Sequence, residues 1–421
     1  MTVFQTIAVL LTLAAIGSYA NKRFMHLPPS VGMMLFALLM SWVAMGCAWL
    51  GIIDLTSASA FVGNIDFSSI FLHGMLSFLL FAGALQVNLV ELRRFRIIVA
   101  ILATAGVAIA AFVTGSLSWW FAQKMGFNLP YPAALLFGAL IAPTDPVAVL
   151  GILKDSGIAQ TLRIKIASES LLNDGVGVVV FMILLSVNAH PDSAMRPDWK
   201  EIVMLLSWEG GGAIALGLSL GWLAYMVLHG VDDYKTEILI TLALAAGGYS
   251  FAEQITVSAP ITMVIAGLVI GNHGRADSMS ERTRRHLDMF WELLDDILNA
   301  VLFVLMGLEI MVMPTTMSLL AAGLGAVAAT LIGRYISVAI PIGLMRNVTF
   351  EKGTIGILTW GGLRGGISIA MALSLPASPY KNLVLGMTYM TVVFSVLFQG
   401  TTFKHVVKHI AGKAYLLPYE G

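Results

Sequence analysis

The sequence predicts an all-α polytopic membrane protein of about thirteen transmembrane helices, and three observations carry that prediction. The 421 residues are 58% hydrophobic and only 11% charged, with a mean hydropathy of +0.87, whereas soluble domains carry about 25% charged residues. Apolar stretches of roughly 20 residues, the length that spans a bilayer core, recur between polar breaks along the whole chain. Lys and Arg fall almost entirely into alternate breaks. The formal net charge is zero, which removes nucleic acid as a partner class. The single cysteine, Cys47, excludes intrachain disulfides and cysteine-based metal sites.

In order, the spans are placed at 2–20, 29–50, 69–89, 97–122, 131–153, 165–187, 201–229, 236–254, 258–272, 287–313, 316–345, 353–375 and 383–403. The first is followed by Asn21-Lys-Arg-Phe-Met-His26 rather than a small-residue cleavage site, and reads as a retained span. Breaks after odd-numbered spans, with the tail 404–421, hold 18 Lys and Arg, and breaks after even-numbered spans hold four. The positive-inside rule then puts the N-terminus outside and the C-terminus in the cytoplasm. No stretch is left over for a soluble domain, so 1–421 reads as a single transmembrane domain.

Span 6 contains Glu169-Ser-Leu-Leu-Asn-Asp-Gly175, ionisable groups where an ionised side chain costs at least ~2.5 kcal/mol. Ser170, Asn173 and Asp174 stand at i, i+3 and i+4 and share a helix face, while Glu169 points elsewhere. One cluster and one separate partner are implied. Span 5 contains Ala142-Pro-Thr-Asp-Pro-Val147. Its two prolines free the carbonyls of Ala139 and Ala142 and should break the helix, and unwound backbone at membrane depth is tolerated only where it is buried in protein or lines a cavity. Asp145 can simply cap the half-helix that would start at Pro146; alternatively, Thr144 and Asp145 present oxygens to Asp174. Depth allows the second reading, since Asp174 lies about ten residues, or about 15 Å, from the cytoplasmic start of its span.

Span 12 contains Trp360-Gly-Gly-Leu-Arg-Gly-Gly366. Its glycines weaken the helix or serve close packing, and Arg364 adds an intramembrane cation that fits the carbonyl ends of a broken helix. Two interrupted spans seven apart run in opposite directions, the pattern of inverted-repeat transporters with a midplane site. Arg334, in span 11, needs a buried partner; Glu169 is the candidate for a structural ion pair, and a Glu169–Arg364 pair is the alternative. Span 10 carries Glu292, Asp295, Asp296 and Asn299 at helical spacing, which suits an acidic cytoplasmic funnel; Asp288 on the same stripe reads as a solvated helix end. His73 is expected to be a packing residue.

Together, Ala142-Pro-Thr-Asp-Pro-Val-Ala-Val149, Glu169-Ser-Leu-Leu-Asn-Asp-Gly175, Phe290-Trp-Glu292 followed by Asn299, and Gly361-Gly-Leu-Arg-Gly365 resemble the NhaP-type sodium/proton antiporters, monovalent cation:proton antiporter family 1, bacterial relatives of the animal sodium/proton exchangers. The similarity runs through all thirteen spans. It implies a homodimer in the bacterial inner membrane, with a mobile core bundle near 97–187 and 316–403 and a scaffold near 1–90 and 201–313. It implies a Na+ site, open to Li+ or K+, in which Asp174 carries cation or proton in turn and Asp145, Asn173, Ser170 and Thr144 complete the shell. The Asn173-Asp174 pair, where electrogenic relatives have two aspartates, implies electroneutral one-for-one exchange serving pH and sodium homeostasis. Ala82 is a departure, standing where many members carry a glutamate. No cofactor and no enzymatic activity are expected. A sodium-coupled organic-anion transporter of related fold is the main alternative, and would need a roomier site. An intramembrane aspartyl protease using Asp145 and Asp174 is a remote one, because its Gly-Xaa-Gly-Asp pattern is missing.

Overall fold

The computed structural model describes residues 3–52, 70–87, 89–145, 160–189, 204, 207–309, 316–345 and 353–411, and the described residues are helical with short connections. In chain order the α-helices are α1 (Val3–Ala20), α2 (Pro29–Trp49), α3 (Leu76–Leu85), α4 (Leu89–Ile101), α5 (Val107–Lys124), α6 (Tyr131–Ile141), α7 (Gln160–Ala189), α8 (Gly212–His229), α9 (Tyr234–Gln254), α10 (Ala259–Val269), α11 (Glu281–Glu309), α12 (Met317–Leu344), α13 (Thr354–Trp360), α14 (Gly366–Leu373), α15 (Lys381–Phe394) and α16 (Gly400–Ala411). Several are joined through one wider, π-type turn, as at Leu102–Gly106 between α4 and α5.

Local chemistry sets the helix starts. Pro29 opens α2, where a missing N–H costs nothing. Asp233 caps α9 by accepting from the Thr236 backbone N–H at 3.1 Å and from its hydroxyl at 2.8 Å, and these hydrogen bonds hold its carboxyl below the usual carboxylate range. Thr316 caps α12 through the Leu319 N–H at 3.3 Å. Such caps satisfy backbone donors that the first helical turn leaves orphaned.

Among the described residues, seven helical stretches are long and apolar enough to cross a membrane: Phe4–Met25, Pro29–Trp49, Arg96–Lys124, Ile166–Leu185, Ser207–His229, Met317–Leu344 and Lys381–Ile410. Shorter apolar helices, Leu76–Leu85, Tyr131–Ile141 and Ala259–Gly274, lie among them. Two further stretches expected to span, α9 and α11, begin in polar, charge-rich turns that dilute their hydropathy.

Packing falls into two neighbourhoods. In the first, α5 lies on α6 and α12, α12 on α15 and α13, and α7 on α6 and α4. In the second, α8 and α3 lie on α10, α11 on α2, and α9 on α10 and α11. Gly138 makes the α5–α6 contact possible, since a Cβ there would overlap the Ala111 carbonyl. In the second neighbourhood the buried Trp291 of α11 packs at a tilt against Phe81 of α3 with centroids 4.9 Å apart and donates to the Thr241 hydroxyl of α9 at 3.1 Å. The neighbourhoods meet where α7 touches α10 and where α14 touches α11.

Candidate functional site

Helix α6 stops at Ile141 for the reason its sequence gives. Pro143 has no N–H to donate to Ala139, and the Ala142 N–H closes a tighter turn on the Ala139 carbonyl at 3.2 Å. Ala142–Asp145 is then non-helical; the residues from Pro146, where a second half-helix was expected, lie outside the described ones. On the other side α13 ends at Trp360, Gly361–Gly365 is irregular, and α14 begins at Gly366. The two irregular segments touch. The Asp145 N–H donates to the Leu363 carbonyl at 2.7 Å, and the Arg364 guanidinium donates to the Ala142 carbonyl and, at 2.9 Å, to that of Pro143. Arg364 thus occupies the carbonyl end of α6, while its own N–H is held by the Ser395 hydroxyl at 2.9 Å. Gly365 permits the crossing: a Cβ there would overlap the Asp145 carboxylate.

Helix α7 runs beside this crossing and supplies two separate arrangements. Glu169 and Arg334, 1% and 6% exposed, form a forked ion pair, Nη1 to Oε1 at 2.6 Å and Nη2 to Oε2 at 2.8 Å. The Arg334 Nε–H donates to the Leu358 carbonyl of α13 at 3.3 Å. Two parallel charge-assisted bonds fix both partners. Of the two pairings open from sequence, the structure has Glu169 with Arg334; Arg364 is spent on carbonyls.

The second arrangement links α7 to the end of α6. The Thr144 and Ser170 hydroxyls lie 2.8 Å apart, Asn173 Nδ2 donates to Thr144 Oγ1 at 2.8 Å, and the Thr144 N–H donates to Asn173 Oδ1 at 3.1 Å. Asn173 also makes a long contact of 3.4 Å to Glu169 Oε1. Ser170 and Asn173 therefore use their polar atoms to hold Thr144, and neither lines the cavity next to it.

That cavity has a volume of about 60 Å³ and is bordered by Thr144, Asp145, Asp174, Asn299, Ser368 and apolar residues such as Leu302. About 10–15 Å³ of such volume is enough for one water molecule, so there is room for a monovalent ion with a few waters. Asp174 is 4% exposed, and its Oδ1 has no hydrogen-bond partner. Gly83 of α3 also borders the cavity, whereas the neighbouring Ala82 does not and is buried at 1% exposure.

The acidic stripe of α11 divides. Glu292 and Asp296 are exposed and Asp295 is half-buried, while Asn299 is buried and donates to the Asp295 carbonyl at 2.9 Å and carboxylate at 3.1 Å. Asn299 borders both the small cavity and a second one of about 530 Å³ that Asp296, Lys22 and His26 also line. Sequence reasoning missed Ser368 and Lys381. A hydroxyl two residues past the Gly-rich interruption was the available sign for the first; Lys381 gave none. The side chain of His73 lies outside the described residues.

A buried, partly unsatisfied carboxylate beside crossing irregular segments, inside an apolar all-helical body, defines a membrane transport protein that handles small ions. The chain belongs to the family described as "Sodium/hydrogen exchanger, transmembrane", whose sequence profile matches residues 8–409. It is 42% identical, across 99% of both chains, to the Na(+)/H(+) antiporter NhaP of Pseudomonas aeruginosa. It is 34% identical to the Na(+)/H(+) antiporter NhaH of Halobacillus aidingensis, over 73% of this chain and 75% of that one. The structure of the sodium proton antiporter MjNhaP1 from Methanocaldococcus jannaschii shares the fold, with a TM-score of 0.76 over 97% of this chain and 98% of that one at 20% identity.

Proposed function

We propose that this chain is a secondary antiporter that exchanges Na+, and to a degree Li+ or K+, for H+ across a bacterial inner membrane. The observation that carries the reading is Asp174, buried with an unsatisfied oxygen against an ion-sized cavity. One carboxylate can hold a proton or help to ligate a cation with other hard oxygens, but does not readily do both. Crossing the bilayer core as a bare carboxylate costs ~2.5–3.5 kcal/mol or more, so only the two loaded forms cross. That is one-for-one exchange, and Asn173 beside Asp174 adds no second titrating group.

In this reading the cavity cation takes oxygens from Asp174, Asp145 and Thr144, with Ser170 and Asn173 holding Thr144 in place. Glu169 and Arg334 are structural, Arg364 compensates the carbonyl end of α6, and Glu292, Asp295, Asp296 and Asn299 line the cytoplasmic approach. The two packing neighbourhoods supply the moving parts: a core bundle of residues 97–187 and 316–403 rocks against a scaffold of 1–90 and 201–313 that also makes the homodimer. Thirteen spans with two interrupted helices, N-terminus outside and the tail in the cytoplasm, complete the proposal. The small cavity disfavours an organic anion, which would need hundreds of Å³.

The test is the collapse of a preset pH gradient in inside-out vesicles on adding NaCl, LiCl or KCl with the membrane potential clamped. Asp174→Asn should abolish the response while the purified variant keeps the parent's monodispersity and helical content. Cation-driven exchange retained by Asp174→Asn sinks the assignment.

A further inference from the structure

Hydroxyls on this protein's helices commonly fold back onto their own backbone. Thr104, Ser219, Thr388 and Thr391 each donate to the carbonyl four residues earlier, at 2.7 to 2.8 Å, and Ser374 on the last turn of α14's run donates to Met371 at 2.8 Å. Ser368 does not. It is 1% exposed, its Oγ has no hydrogen-bond partner, and it borders the small cavity. Among the described residues, two buried side chains with an unsatisfied polar atom border that cavity, Asp174 and Ser368. They come from different helices, Asp174 from α7 and Ser368 from the first turn of α14.

A buried hydroxyl left unpaired costs roughly 1–3 kcal/mol, and two such groups on one ion-sized cavity point to a shared ligand. We propose that Ser368 is a cation ligand, supplying a hydroxyl oxygen from α14 to the same monovalent ion that Asp174 binds. The inference rests on the exchange function proposed above. A hydroxyl has one proton and two lone pairs. It can donate to the Asp174 carboxylate when no ion is bound, and turn a lone pair to the cation when one is.

The test uses a Cys47→Ser parent, shown first to exchange Na+ for H+ and to lose exchange on Asp174→Asn. Failure at that step strikes the antiport reading itself. In an active parent, Ser368→Ala should raise the apparent KM for Na+ on the order of tenfold or more, the loss of one ligand bond. Its rate at saturating Na+ should stay near the parent's, and Ser368→Thr should return the KM toward it. Ser368→Cys should make exchange sensitive to micromolar Cd2+, because a thiolate and the Asp174 carboxylate facing one cavity suit a soft divalent ion; the parent should be insensitive. An unchanged KM in Ser368→Ala overturns the proposal, and so does a raised KM without Cd2+ block in Ser368→Cys, which would make Ser368 a packing residue.

Discussion

At the scale of single residues, neighbours in sequence do opposite work. Glu169 and Asp174 lie on one helix five positions apart, yet Glu169 is saturated by Arg334 while one Asp174 oxygen has no hydrogen-bond partner. A buried pair is costly to form and more costly to break: removing one partner leaves an uncompensated charge worth about 3–5 kcal/mol. Arg334→Leu should therefore lower the thermal midpoint of the purified protein sharply, and the double variant Glu169→Gln/Arg334→Leu should lose less than the two single losses added together. Additive losses in a melting experiment would contradict the pairing. Sequence position identified both carboxylates as needing partners, and helical phase separated their directions. It favoured Arg334 over Arg364 but left the alternative open, because the pairing depends on which arginine meets the free carbonyls of Ala142 and Pro143.

Among the elements, the informative features are where helices stop. Helices α6 and α14 end and begin at a crossing stitched by Asp145 to Leu363 and by Arg364 to Ala142 and Pro143. Gly365 has an extended backbone that any residue can adopt, so its role is space alone. Gly365→Ala should push its methyl against Asp145, costing about 1–3 kcal/mol by overpacking and slowing exchange; Asp145→Ala in the same chain should recover the stability but not the transport. The far end of α14 has its own device. Lys381 donates to the carbonyls of Leu373 and Leu375 at 2.9 and 2.6 Å, a cation on the negative end of a helix. Lys381→Met should destabilise by about 1.5–3 kcal/mol and leave the apparent KM for Na+ unchanged. An altered KM would mean that this end of α14 moves with ion binding. Prolines announced where α6 stops and glycines where α13 gives way to α14; the cap at Lys381 was invisible, because it depends on the chain doubling back after Ser374.

For the molecule as a whole, exchange requires that cation and proton compete for one group. The apparent KM for Na+ should rise on the order of tenfold for each unit of falling pH once protons dominate, since the ligand must be deprotonated to bind metal. A KM independent of pH across the acid limb would require separate sites. The proposed one-for-one stoichiometry further predicts that an imposed membrane potential leaves the rate unchanged, measured in the same vesicles with valinomycin and K+ setting the potential.

The sequence by itself determined that the chain is an all-helical membrane protein, where its polar residues interrupt apolar helices, and which family it resembles. Those properties are local: hydropathy, helical phase and the backbone chemistry of proline and glycine act within a few residues. Only the tertiary structure decided which polar groups are spent and which remain available. Ser170 and Asn173 share a helical face with Asp174, but Thr144 consumes their polar atoms. Ser368, nearly two hundred positions from Asp174, shares its cavity. Hydrogen-bond satisfaction is a property of pairs brought together across the fold, and no pattern along one strand of sequence records it.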